Sequence, residues 1–153
     1  MPELLTKYFG TLPYEEEAVF HFPSGLPSFE DQRRFLPIEP ADSSPLIFLQ
    51  SVTRPGLCFL AFPVGLVDPD YQLTLMPEDL MELGLRPEQA SPIGRDTLIL
   101  VLLSIRDGTP ITANLMAPIV VNIETRRAVQ AIRCDARYSH AHPCANLAGR
   151  SAC

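Results

Sequence analysis

The sequence predicts an all-β fold, a compact barrel-like or sandwich sheet of short strands with one short helix, and three observations lead there. Sixteen prolines in 153 residues recur often enough to leave few windows in which a helix could exceed two or three turns, because proline lacks the backbone donor and clashes with the preceding turn. The windows between prolines are β-branched and aromatic rather than periodic at 3.6 residues. A chain of this length with 46% apolar and 20% charged residues buries one core and is too short for two ordinary domains.

The elements follow in order. Strands are expected at Leu5 to Phe9, Ala18 to Phe22, Arg34 to Ile38, Leu46 to Ser51, Leu57 to Phe62 and Tyr71 to Leu75. Further strands are expected at Thr97 to Arg106, Ile111 to Leu115, Ile119 to Ile123 and Ala128 to Ile132. The one credible helix runs from Pro77 to Leu83. Pro77 is preorganised for the first helical position, Glu78 and Asp79 suit the positive end of the helix dipole, and Gly84 can adopt the left-handed terminating conformation. A shorter turn is expected from Ser28 to Arg33 with Ser28 as its cap. Residues 1–144 read as one β domain and 145–153, small, polar and unpatterned, as a disordered tail.

Charge and composition narrow the function. A net charge of -6, with Lys7 as the single lysine, disfavours direct nucleic-acid binding, which draws on clustered Lys and Arg at the phosphate backbone. An acidic surface suits a basic protein partner. No apolar run reaches the roughly 18 residues that would span a bilayer, and no basic stretch followed by an apolar one opens the chain. The expectation is a cytoplasmic protein without a membrane partner, its cysteines reduced.

Enzyme chemistry finds little support. There is no nucleophile elbow around Ser24 and no glycine-rich phosphate loop. His21 sits in a strand-like stretch with no titrating partner fixed by sequence, and Cys58 reads as a small core hydrophobe. Cys134, His140, His142 and Cys144 form the right donor set for tetrahedral zinc. Their spacing matches no recognised site and Pro143 stiffens the segment, so no metal and no cofactor are expected. A small metal-binding or hydrolytic domain built on His140, His142 and the cysteines is the rival reading.

The window Thr112-Ala113-Asn114-Leu115-Met116-Ala117-Pro118-Ile119-Val120-Val121-Asn122 carries the most specificity. Its two apolar runs break at Ala117-Pro118, which two strands or one kinked edge strand would satisfy. It resembles the T-x-N-L-x-A-P-I-x-x-N pattern of the FliW family of flagellar assembly factors. The resemblance extends to Lys7-Tyr8-Phe9-Gly10, to Phe22-Pro23-Ser24-Gly25-Leu26-Pro27-Ser28-Phe29-Glu30 with Arg34-Phe35, and to Tyr138-Ser139 with His142-Pro143. It implies a non-enzymatic factor that binds newly made flagellin and, alternatively, the RNA-binding translational repressor CsrA, whose sequestration relieves repression of flagellin synthesis. A flagellin chaperone with no translational role is a second alternative. Phe29, Glu30, Asn114, Leu115, Pro118 and Asn122 are the candidate partner-binding residues. Each also has a structural reading, Phe29 as a core plug and the two asparagines as partners for backbone groups beside the proline break.

Overall fold

The structure, a computed structural model, describes residues 2–93 and 96–144. Their secondary structure is mostly strand. Eleven strands run β1 Glu3–Leu5, β2 Thr11–Pro13, β3 Phe20–His21, β4 Arg34–Ile38, β5 Ile47–Ser51, β6 Cys58–Pro63, β7 Thr97–Ser104, β8 Thr112–Ala113, β9 Ile119–Asn122, β10 Ala128–Gln130 and β11 His142–Pro143. Two helices, α1 Val64–Val67 and α2 Pro77–Leu83, complete the set with three single 3-10 turns. The first two strands form a separate hairpin. The others make one antiparallel sheet in the order β10-β9-β7-β6-β5-β4-β3, with β8 on β7 and β11 on β8.

The sheet curls so that its two halves face each other, a sandwich-like arrangement that stops short of a closed barrel. A single bridge between His21 and Arg127, with the His21 N–H donating to the Arg126 carbonyl at 2.8 Å, ties its two edges. The inner face supplies Phe20, Phe35, Leu49, Ala61, Leu100, Ile119 and Ala128 to one core. Strand alternation sends the intervening residues of β7, Ile99 and Val101, to a second core on the opposite face. There they meet Leu80 and Leu83 of α2 together with Tyr71, Leu73 and Leu75.

Most expected elements match, and the differences have physical causes. Helix α2 spans the expected residues, with Pro77 in its first turn and Gly84 closing it at φ 71°, where the Gly84 N–H serves the Leu80 and Met81 carbonyls. The additional α1 is a single turn following Pro63, too short to show periodicity. Ser28 to Arg33 is no helical turn: Leu26 and Phe29 bridge and Ser28 takes a positive φ of 71°. Of the strand expected at Leu5 to Phe9 only Leu5 is strand, the last residue of β1, and the chain then bends through Lys7 to Phe9 before the hairpin returns through Thr11–Pro13. Tyr71 to Leu75 keeps the alternating burial of a strand and joins no ladder among the described residues. The expected tail, 145–153, and Cys153 lie outside the described residues.

Asn122 is the joint between sheet and helix. Its side chain is buried, its Nδ2 donates to the Leu83 carbonyl at 2.8 Å, and its Oδ1 accepts from the Glu124 N–H at 3.1 Å. One amide therefore satisfies the end of α2 and the turn after β9, where the backbone otherwise lacks partners. Asn122→Ala leaves the Leu83 carbonyl unserved in the interior and removes the acceptor of the Glu124 N–H nearer the surface. It is expected to lower unfolding free energy by about 1–3 kcal/mol, read from a chemical denaturation midpoint, and a loss below experimental error would contradict this role.

Candidate functional site

Two segments that the sequence singles out converge on β10. The first is the turn from Phe22 to Gln32. The Gly25 N–H donates to the Phe22 carbonyl at 2.9 Å and the Phe29 N–H to Leu26 at 2.7 Å, closing two turns in succession. Gly25 sits at φ 68°, and a Cβ there would lie 2.5 Å from the Glu30 carbonyl oxygen. Only glycine satisfies both the left-handed backbone and that approach.

The turn is stitched to the β5–β6 connection. Gln32, buried, accepts through Oε1 from the Ser51 hydroxyl at 2.6 Å and the Thr53 hydroxyl at 2.9 Å. Phe29 is half-buried, edge-on to Phe59 at 5.7 Å, with the Arg54 guanidinium 5.9 Å from its ring centre. It is both plug and partial surface. Glu30 is exposed, and its carboxylate accepts the Ser28 N–H at 3.0 Å, holding the strained residue in place.

The second segment is a bulge between β8 and β9. Ala113 lies opposite Leu103 and Ile119 opposite Leu100, so the chain takes six steps where β7 takes three. The surplus is accommodated by Asn114, half-buried, whose Oδ1 accepts from the Met116 N–H at 3.0 Å, an Asx turn. Leu115 and Pro118 are buried, the former in the core beside α2. Of the six candidate residues, then, Phe29, Glu30 and Asn114 reach the surface. Leu115, Pro118 and Asn122 lie beneath it and can affect a partner only by shaping what lies above.

Gln130 of β10 links the segments. Its Nε2 donates to the Ala117 carbonyl at 3.0 Å, and it lines, with Glu30, Gly25 and Glu82, a shallow groove of about 220 Å³. The Ser24 hydroxyl, on the same turn, donates to Glu82 of α2. Residues far apart in sequence are thereby held on one surface.

A cluster that sequence reasoning missed braces the bulge from the other side. The Tyr71 hydroxyl donates to the Leu115 carbonyl at 2.7 Å. The Arg133 side chain is only 7% exposed, with its guanidinium 5.4 Å from the Tyr71 ring centre and 4.7 Å from that of Tyr138. It donates to the Gln72 carbonyl at 2.6 Å and to both Asp135 oxygens at 2.9 Å. The Arg133 hydrogen bonds hold the Asp135 carboxyl below its ordinary value of 3.8. The one available signal was the Arg-x-Asp spacing just beyond the strand expected to end at Ile132, and it does not name the tyrosines.

The rival metal site does not assemble. Among the described residues no three His, Cys, Asp or Glu side chains gather to hold an ion. Cys134 and His140 are exposed, while Cys144 is buried with its thiol 3.6 Å from the His142 carbonyl. Burial raises the Cys58 thiol to about 11, which leaves it protonated and unreactive at neutral pH.

A family model described as FliW protein matches residues 3–144. This chain belongs to the FliW family. It is 36% identical over 143 residues to the flagellar assembly factor FliW of Caldanaerobacter subterraneus subsp. tengcongensis, covering 92% of this chain and 91% of that one. It is 30% identical over 142 residues to the FliW of Syntrophomonas wolfei subsp. wolfei, covering 92% and 87%. A crystal structure of the flagellar assembly factor FliW superposes with a TM-score of 0.80 at 31% identity, covering 93% of this chain and 96% of that chain. The FliW fold therefore extends over both converging segments.

Two outcomes test this geometry. Gly25→Ala should cost about 2–4 kcal/mol in thermal or denaturant unfolding, combining left-handed strain with backbone overlap; a neutral result would show that the turn relaxes freely. For Asp135, a folded-state pKa below the unfolded one contributes stability above the unfolded value, lost as pH falls through the folded one. Asp135→Asn should therefore be less stable than the parent at neutral pH and converge with it in strongly acidic solution. Melting curves across that range decide, and a gap that widens on acidification would reverse the sign.

Proposed function

We propose that this member of the FliW family is a non-enzymatic, cytoplasmic binding protein that holds newly made flagellin and, alternatively, the translational repressor CsrA. Partner exchange is the mechanism: flagellin occupies the protein while it accumulates in the cell, and its export releases the protein to sequester CsrA and relieve repression. The observation that carries this reading is the family match across residues 3–144, joined to a turn that presents Phe29 and Glu30 and is linked to the Asn114 to Pro118 bulge through Gln130. Phe29, Glu30 and Asn114 are assigned direct contact, with Leu115, Pro118 and Asn122 setting the backbone beneath them. The net charge of -6 favours a basic partner surface, which speeds encounter more than it prolongs the complex. Among the described residues no helix is long and apolar enough to cross a membrane.

Titration calorimetry of the purified chain against flagellin and, separately, CsrA tests the proposal. Direct binding of both, weakened by added salt, is expected. Phe29→Ala should weaken binding by about 1 kcal/mol or more. Because the ring is half-buried, the same change should lower stability by about 2 kcal/mol, less than for a fully buried phenylalanine. Binding to flagellin without CsrA would reduce the role to that of a chaperone, and binding to neither at micromolar concentration in low salt would overturn it.

A further inference from the structure

Residues 71–76 alternate without interruption, Tyr71, Leu73 and Leu75 buried and Gln72, Thr74 and Met76 exposed. That is the burial period of a strand. The backbone partners keep the same period. Gln72 donates its N–H to the Tyr138 hydroxyl at 3.0 Å and accepts at its carbonyl from Arg133 at 2.6 Å, both on one side. The Leu75 N–H turns the other way, to the Ala90 carbonyl at 2.7 Å. Thr74 must share the direction of Gln72, and its N–H and carbonyl have no hydrogen-bond partner among the described residues.

Facing that side is the continuation of β10. Ala131 and Arg133 donate their N–H groups to Pro118 and Met116 at 2.8 Å, toward the bulge, so Ile132 between them turns its own N–H and carbonyl outward. Its side chain is 60% exposed, and its backbone too lacks a partner among the described residues. Between the two edges lies an open groove of about 360 Å³, with Leu73 and Ala131 among its lining and Met76 and Ile132 adding exposed apolar surface. At one end Arg133 bridges the gap to the Gln72 carbonyl. A gap that takes a whole arginine side chain to cross exceeds the spacing of about 4.8 Å at which two strands pair directly.

We infer that this groove is a strand-addition site, which takes an extended segment of a separate, basic protein and hydrogen-bonds it to Thr74 on one side and Ile132 on the other. Two orphaned strand edges facing one slot specify a backbone as the occupant, the recognition mode in which main-chain bonds give affinity and alternate side chains give specificity. The apolar lining suits a segment with apolar residues at alternate positions. Asp79 lines the α2 end of the groove beside Glu78 and makes no ion pair among the described residues, so a lysine or arginine of the segment belongs there. A second copy of this chain would bring the same net charge of -6 and is disfavoured. The inference does not depend on whether flagellin or CsrA is the physiological partner.

Residue-resolved amide exchange on the full chain is the test, with a panel of capped peptides of about eight residues as probes. Their apolar and polar positions alternate, and each carries Lys or Glu at the position facing Asp79. Expected are fast exchange at Thr74 and Ile132 in the free protein, slowed tenfold or more by the Lys-bearing peptides. A single backbone N-methyl group on the peptide nitrogen facing Thr74 should cost roughly tenfold in affinity, without any change to the protein. Asp79→Asn should remove the preference for Lys over Glu. Three outcomes would overturn the proposal: no peptide protecting either amide at millimolar concentration, N-methylation leaving affinity unchanged, or both amides becoming protected as the protein alone is concentrated.

Discussion

The surplus residues between Ala113 and Ile119 are the constraint around which this molecule is arranged. A register that slips by an odd number of residues would turn an entire strand inside out. Here the slip is taken up locally, so Ala113 serves one core while Ile119 and Val121 serve the other. After the Asn114 N–H, which still donates to the Leu102 carbonyl of β7 at 2.9 Å, the bulged backbone leaves the β7 ladder. Its carbonyls go instead to Tyr71, Gln130 and Arg133: Leu115 accepts from the Tyr71 hydroxyl, Ala117 from the Gln130 amide and Met116 from the Arg133 N–H. These partners sit on the segment before α2 and on the last long edge of the sheet, so the bulge fixes where both lie.

The turn carrying Phe29 follows a different logic with the same effect. Its backbone is left-handed at Gly25, where glycine carries no penalty, and strained at Ser28, and strain persists only where the surroundings over-determine it. Gln32 supplies that by tying the turn to Ser51 and Thr53, while Gln50, buried beside Ser51 in β5, places its Nε2 within 3.1 to 3.3 Å of four carbonyls in the same connection. An amide nitrogen has two hydrogens, so these bonds are shared. The result is a rigid end to the sheet, from which a half-buried aromatic ring and an exposed carboxylate project.

What was legible in the sequence divides along the range of the interactions. Helix α2 was legible to the residue because its start, its acidic first turn and its glycine stop are all local. Arg34–Ile38 was legible for the same reason, a β-branched and aromatic run bounded by turn residues. Tyr71 to Leu75 carries an equally clear alternation, yet alternation reports burial on one face and is silent on whether a neighbouring strand exists. The arginine at 133 was passed over because its meaning depends on tyrosines at 71 and 138, which no spacing rule connects. The two asparagines looked equivalent in sequence, and the structure separates them: Asn122 is buried at the helix end and Asn114 is half-buried on the bulge.

That separation bears on how a binding surface is made from a motif. Within the Asn114 to Asn122 window, Leu115 and Ala117 through Asn122 are buried, so nearly all of its chemistry is spent on shaping backbone. What faces outward is limited to Asn114, Met116 and the groups that the bulge positions. The exposed contributions come from elsewhere, from Phe29 and Glu30 on the stitched turn and from the edge around Ile132. A surface assembled in this way separates shape from contact. Under the proposed binding role, changes at Leu115, Pro118 or Asn122 would act through the backbone of the bulge and of β9 and disturb several contacts at once, whereas changes at the exposed Glu30 or Ile132 would alter one contact and leave the sheet intact.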